Sequence, residues 1–246
     1  MIELIAPDWP IPRHVRAVST ARKGGVSQGP YHSLNLAQHV GDELDCVVEN
    51  RRRLRNQLGL DVEPFWLNQV HGTQVVRVDA LTEPLDAPVA DAAVSDRAGA
   101  ACAILTADCL PVLFASADGS RVAAAHAGWR GLAGGVLEAT IAALAIPPRQ
   151  VLAWLGPAIG PDHFEVGSEV RTAFMNLDPS AATAFRVNQR GRWQADLYRL
   201  ARQHLHRAGI DAIYGGGRCT FAETDAFFSY RRDGQCGRMA TLIWIE

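Results

Sequence analysis

The stretch Leu110 to Ala125 constrains this chain more than any other. An apolar run from Leu110 to Ala115 and a run of small apolar residues from Arg121 to Ala125 flank Ala117-Asp118-Gly119-Ser120. Asp-Gly between two such runs is the strongest short-range hairpin signal. A loop of even length centred on Asp118-Gly119 places Pro111 opposite His126 and Cys109 opposite Gly128. Side chains alternate between the faces of a strand, so Cys109, Pro111 and His126 share a face. Diagonal cross-strand neighbours lie roughly 7–8 Å apart at the backbone, close enough to reach one shared ion. An odd loop or a bulge would break this parity.

A thiol and an imidazole on one face have three readings: a nucleophile pair, two ligands of a metal, or core packing, since free cysteine is among the most buried residue types. The segment after His126 favours a functional site. Ala127-Gly128-Trp129-Arg130-Gly131 is a glycine-rich turn entering a helical run, Leu132 to Ala145. Such a turn presents unpaired N–H groups and a positive dipole end, which suits an anion. Arg130 adds a planar, permanent cation.

At 246 residues, burying a large core is no difficulty, and the formal charge of -2 shows no basic bias toward nucleic acid. The start, MIELIAPDWPIPRHV, carries Glu3, Asp8 and three prolines, not a basic segment followed by an apolar one. No secretory signal is expected, and no apolar stretch approaches membrane-spanning length. Five cysteines (Cys46, Cys102, Cys109, Cys219, Cys236) are an odd number without paired spacing. They read as reduced thiols of a cytoplasmic protein.

In chain order, Val15 to Thr20 reads as a strand, followed by a basic, glycine-rich loop from Ala21 to Pro30 that is either an anion-binding loop or a surface turn. Asn35 is a buried amide needing partners or a substrate contact. Asp42 is the expected cap of a helix over roughly Glu43 to Leu58, stopped by Gly59, with Arg51 to Arg53 on its solvated face. Strands are expected at Phe65 to Leu67, Thr73 to Val78, Ala90 to Ser95, Ala101 to Leu105, Val151 to Leu155 and Met239 to Ile245. Gly72 allows a bend that re-aims His71. Asp108 is an outer acceptor for a ligand histidine or a strand-end cap. Gly156 to Pro161 is a stiff turn able to wall a pocket. Ser168 is expected to cap a helix through Met175. Asp178 to Gly191 reads as loop and Trp193 to Ala208 as helix, which makes His204 and His206 surface residues. Ser229-Tyr230-Arg231-Arg232 suits ring stacking with anion recognition, or is an exposed strand end. Interleaved strands and helices favour one α+β domain, residues 1–246, of mixed β-sheets flanked by helices.

Taken together, Gln69-Val70-His71-Gly72, Thr106-Ala107-Asp108-Cys109 and His126-Ala127-Gly128-Trp129-Arg130-Gly131 resemble the motifs of the bacterial laccase-domain family. That family was once labelled multicopper polyphenol oxidase and is now treated as zinc-dependent purine nucleoside phosphorylase. Arg22 with Gly24-Gly25-Val26-Ser27, Ser33-Leu34-Asn35-Leu36, Gly156 to Gly160 and Phe228 to Arg232 match as well, so the resemblance spans nearly the whole chain. Ala21 stands where the family usually has threonine, and Asp162-His163 where many relatives have cysteine.

The resemblance implies that His71, Cys109 and His126 bind one zinc ion and form the catalytic centre. Two imidazoles and a thiolate are a known catalytic zinc set with a fourth position open; copper is not excluded by ligand type. It implies phosphorolysis of adenosine, inosine or guanosine to base and ribose 1-phosphate, with methylthioadenosine phosphorolysis and adenosine deamination as further activities. Purine nucleosides and phosphate are then the partners, and Arg22, Asn35, Arg130, Ser229, Tyr230 and Arg231 the substrate contacts. Asp108 is a candidate general acid. Three rivals stand beside this reading: copper-dependent polyphenol oxidation, hydrolytic editing of peptidoglycan precursors, and a non-catalytic zinc or docking protein.

Overall fold

A computed structural model describes residues 1–78 and 87–246. The expected hairpin is present as Leu110–Ser116 and Val122–Ala127, with Pro111 opposite His126. Its turn is built as the sequence requires. The Asp118 carboxylate accepts from the Ser116 hydroxyl, the Ser120 N–H and the Ser120 hydroxyl, and Gly119 takes a φ of 73° that glycine adopts without strain.

The hairpin is the centre of a six-stranded mixed sheet, in the order Ile213–Gly215, Val151–Leu155, Leu110–Ser116, Val122–Ala127, Ala92–Ser95, Val75–Arg77. Its two outermost pairings are parallel and the inner ones antiparallel. Both hairpin strands are buried on both faces, which is why they read as continuous apolar runs and not as alternating ones. On one face lies an antiparallel sheet of Leu4–Ile5, Val15–Thr20, Met239–Ile245 and Cys102–Thr106. Cys102, Ile104 and Ile243 of that sheet share a core with Leu113, Ala115, Val122 and Ala124 of the hairpin. Val112, Phe114, Ala123 and Ala125 point the other way, onto the helices Val136–Leu144 and Leu197–Arg207. The helix Leu44–Leu58 covers the outer face of the four-stranded sheet through Leu54. The result is the expected α+β class: mixed sheets flanked by helices. Among the described residues no helix is long and apolar enough to cross a membrane.

Several local expectations are corrected. Phe65 to Leu67 is not a strand; Phe65 and Asn68 make only isolated bridges to Cys102 and Val89. Asp42 does not cap the helix at Leu44, because its Oδ2 accepts from Ser27 Oγ and Asn35 Nδ2. Arg52 and Arg53 pair with Glu49 on the solvated face, but Arg51 lies over the Trp66 ring and donates to the Leu36 carbonyl. The run after Gly128 is two helices, Trp129–Gly134 and Val136–Leu144, broken at Gly135 with a φ of 95°. Ser168 is the first residue of the helix Ser168–Leu177, whose cap position is Gly167. Asp178 to Gly191 holds the 3-10 turn Pro179–Ala184 and the strand Phe185–Val187, which joins Trp193–Ala195 and Glu165–Val166 in a third sheet. The following helix starts only at Leu197, capped by the Asp196 carboxylate on the Arg199 N–H. Helical periodicity in Trp193 to Ala208 cannot register the strand partners that claim its first residues. His204 is buried and its Nδ1 meets Glu138 at 2.7 Å, tying two helices together; His206 is exposed.

Candidate metal centre

Three segments bring the site together at one end of the two stacked sheets. His126 is the penultimate residue of its strand and shares the parity of Ala124, so it points between the sheets. Cys109 follows the strand Cys102–Thr106 across a three-residue bend and immediately precedes Leu110. His71 lies on the loop before Val75–Arg77, and it is His71 itself, φ 61°, that makes the turn there, with Gly72 beside it.

The donor atoms of His71, Cys109 and His126 all lie within 4.8 Å of one another. Cys109 Sγ is 3.8 Å from His71 Nε2, and the two imidazole rings meet edge to face at 4.7 Å between centroids. Ligand bonds of about 2.0–2.3 Å around a tetrahedral zinc set neighbouring donors about 3.5 Å apart, so this spacing fits one ion. Gly128 leaves the room: a Cβ built on it would lie 2.9 Å from Cys109 Sγ and 2.9 Å from His71 Cδ2.

Asp91 organises the site. It is fully buried and accepts four hydrogen bonds: from the N–H groups of Val70 (3.2 Å), His71 (2.9 Å) and Gly72 (2.6 Å), and from His126 Nδ1 (2.8 Å). With its Nδ1 proton held there, His126 has Nε2 left as the nitrogen that could take a metal ion. One carboxylate thus fixes the loop of one ligand and the tautomer of another. Gln69 complements it. The Gln69 side-chain amide exchanges two hydrogen bonds with the Leu105 backbone, pinning the His71 loop to the strand that leads toward Cys109.

The sequence offers Asp108 either as an outer acceptor for a ligand histidine or as a strand-end cap. The structure gives the acceptor role to Asp91, whose signal was an acid inside the alanine-rich run Ala90 to Ala93; a buried acid must have partners. Asp108 Oδ1 accepts from Thr220 Oγ1 and its Oδ2 from the Arg231 N–H. Both carboxylate oxygens are thus engaged by the protein's own donors rather than by a ligand histidine.

Of the expected substrate contacts, Arg130 follows Gly128 by two residues, is exposed, and lies over the Trp129 ring. Ser229 is buried and caps the short helix Tyr230–Asp233, so that segment is a helix start, not a strand end. Tyr230 is 61% exposed. Arg231 donates Nη1 to the Glu165 carbonyl. Arg22 directs three N–H groups to the carbonyls of His32 and Thr224 and stacks on Phe228. Asn35 resolves to the buried-amide alternative: Nδ2 donates to Ala37 O and Asp42, and Oδ1 accepts from the N–H groups of Ala37 and Arg238. The Gly156 to Gly160 turn is anchored by Tyr198, whose hydroxyl takes the Ala158 N–H.

The electrostatics suit a thiolate ligand. Burial works to raise the Cys109 pKa, but the charge and hydrogen bonds of His126 and His71 outweigh it and bring it down to about 6. Burial opposes a charged His126, yet Cys109 and Asp91 push that imidazole up to about 9. In metal-stripped protein, thiolate and imidazolium therefore coexist between those values. Alkylation of Cys109 by iodoacetamide should stay fast down to pH about 6, well below the ordinary thiol pKa of roughly 8.5. His126→Ala should return the profile toward the ordinary value. Peptide mass spectrometry reads both; a profile unchanged by His126→Ala would refute the pairing.

Comparisons with known proteins find relatives over nearly the whole chain. Residues 16–246 match the model of the family described as multi-copper polyphenol oxidoreductase laccase. The chain is 53% identical to the Escherichia coli K12 purine nucleoside phosphorylase YfiH over 245 residues, covering 100% of each. It is 54% identical over 243 residues to a Pseudomonas aeruginosa purine nucleoside phosphorylase, covering 98% of each. Among solved structures, a Neisseria meningitidis protein superposes with a TM-score of 0.94 at 54% identity, over 99% of both chains. YlmD from Geobacillus stearothermophilus superposes at 0.89 with 34% identity, over 95% of this chain and 93% of its own.

Proposed function

The chain belongs to the multi-copper polyphenol oxidoreductase laccase family, and from its likeness to purine nucleoside phosphorylases we propose that it is one, working at a mononuclear zinc centre. The observation that carries this reading is the three-donor cluster of His71, Cys109 and His126, in a chain about half identical to purine nucleoside phosphorylases. Two imidazoles and a thiolate leave a coordination position for substrate, whereas purely structural zinc usually has four protein ligands.

Copper oxidation fits the site less well. A multicopper oxidase needs several H-x-H pairs converging on its ions. This sequence has one, His204-Leu205-His206, in which His204 is tied to Glu138 and His206 faces solvent. Among the described residues, His71, Cys109 and His126 are the one group placed to hold a metal.

Zinc held there would supply Lewis-acid polarisation of an oxygen on phosphate or ribose. The chain's own side chains do the rest. Arg130 is the phosphate arm: it makes no hydrogen bond among the described residues and stands next to the ligand-bearing turn. Arg22 is committed to carbonyl groups and Arg231 partly so. An anion held by Arg130 stabilises the positive charge that develops on the ribose as the glycosidic bond breaks. The exposed Tyr230 ring offers a stacking face for the base.

The test is turnover of adenosine, inosine, guanosine and methylthioadenosine by metal-quantified protein, with and without phosphate. Base and ribose 1-phosphate should form only with phosphate, and Cys109→Ala should lose metal and turnover together. Arg130→Ala should raise the phosphate KM by at least tenfold, the equivalent of about 1.4 kcal/mol. Absence of base release from every nucleoside would sink the reading. A second reading rests on the alignment of Cys109, His126 and Asp91 as nucleophile, base and orienting acid. Hydrolysis of peptidoglycan precursors by metal-free protein would favour it.

A further inference from the structure

Asp108 has a backbone φ of 89° and is 8% exposed. Aspartate tolerates this left-handed region better than most residues, but the conformation still needs support from its surroundings. That support comes from three separate segments. Oδ1 accepts from Thr220 Oγ1 at 2.6 Å, Oδ2 from the Arg231 N–H at 2.7 Å, and the backbone carbonyl from the Ile159 N–H at 2.9 Å. The three are linked in turn: the Thr220 N–H donates to Ala158 O, and Arg232 Nη1 donates to Thr220 O. Three segments therefore converge on the residue directly before Cys109.

We propose that Asp108 is a positioning residue that ties the metal ligand Cys109 to the Tyr230–Arg231 segment, so that one carboxylate sets both the aim of the thiolate and the placement of that segment. The first half stands on the ligand geometry alone. The second half, that the segment contacts substrate, rests on the phosphorolysis reading. A shift of Asp108 that lets its φ relax rotates the following peptide, and with it the Cys109 side chain. By the same path, displacement of Arg231 is transmitted to the metal. Coupling of this kind is reciprocal for binding free energies.

The test is a cobalt(II) titration of metal-free protein with no nucleoside present. The thiolate-to-cobalt charge-transfer band reports the placement of Cys109 directly. D108A and D108G should weaken cobalt affinity at least about tenfold, the equivalent of about 1.4 kcal/mol, and diminish the band. D108G is the discriminating variant, because glycine adopts the backbone conformation freely and lacks only the carboxylate. D108N keeps one accepting oxygen and should recover part of the affinity. T220V removes a single tie and should weaken binding measurably with an unchanged circular dichroism spectrum, which serves if the Asp108 variants fold poorly. Wild-type affinity and band in both D108G and T220V would overturn the positioning role. At saturating metal, D108N should raise the nucleoside KM more than it lowers kcat. An unchanged KM would overturn the substrate half and leave the metal half standing, and a protein inactive on nucleosides would leave the cobalt result untouched.

Discussion

Replacing Asp91 with alanine should cost about 3–5 kcal/mol of stability, the range found when one partner of a buried charged pair is removed, and should lower zinc affinity by roughly 10–100-fold at the same time. The size comes from the groups that are stranded. Val70, His71 and Gly72 lose the acceptor of their N–H groups, and His126 Nδ1 loses its partner. His126 is itself buried, so its unpaired Nδ1–H costs about 1–3 kcal/mol, while the three loop N–H groups, on exposed or half-buried residues, can turn to water. The two losses share a cause but are separable. Urea unfolding of metal-free protein reads the first, and competition with a zinc chelator reads the second. Asp91→Asn keeps the shape but turns a donor toward groups that are themselves donors, so it should recover little of either. Burial works to raise the Asp91 pKa, but the hydrogen bonds from His126 and the Gly72 N–H outweigh it and hold the carboxyl below its ordinary value. Its stabilisation is therefore complete above the ordinary carboxylate range and is lost as pH falls through the lowered value. Asp91→Asn should remove that acid-side loss. An Asp91→Ala protein with wild-type unfolding and zinc affinity would show that the loop and His126 are held by something else.

The same residue marks where the sequence was legible and where it was not. Hairpin register could be read because its determinants are local: an Asp-Gly turn, an even loop and period-two burial together put Pro111 opposite His126. The closeness of two of the three clustered donors, Cys109 and His126, followed from that. His71 lies 38 residues before Cys109 in sequence, and only the family resemblance connected it. No periodicity encodes that a carboxylate beside the Ala92–Ser95 strand gathers three amides from a distant loop. Asp108 shows the converse. Its position beside the thiol suggested a hydrogen bond to a ligand histidine, but at a φ of 89° its carboxylate meets Thr220 and Arg231 instead. His204 was assigned to the surface because residues two apart cannot share a helix face. The rule holds, yet it does not say which of the two faces inward. Glu138, on another helix, decides it. The misread elements fail for a related reason: Gly135 breaks a run with continuous helical pattern, and Trp193 to Ala195 are claimed by strand neighbours before the helix begins. Long-range partners, not local propensity, settle such segments.

Gly128→Ala should abolish metal binding while leaving the fold in place. The sequence suggested that this glycine serves an anion-binding turn, but its backbone is at φ -61°, ψ 158°, which any residue adopts. Its need for glycine is steric. An added Cβ would lie 2.9 Å from both Cys109 Sγ and His71 Cδ2, closer than carbon and sulfur approach without bonding. Relief requires the two ligands to part, since the Gly128 backbone is held between the strand Val122–Ala127 and the helix Trp129–Gly134. Alanine is a poorer helix cap than glycine, a cost of order 1 kcal/mol or less, so cooperative unfolding should persist. Zinc affinity should fall by more than the roughly 10–100-fold that loss of an outer-shell partner brings, because two ligands move at once. Gly128→Ser should behave alike, which would separate size from polarity. The measurements are zinc stoichiometry by atomic emission and thermal unfolding with and without zinc. Wild-type protein should gain stability from the ion by mass action, and the variant should not. Stoichiometric zinc in Gly128→Ala, with the same ion-dependent rise in unfolding temperature, would mean that the three donors do not converge on the space this glycine leaves free.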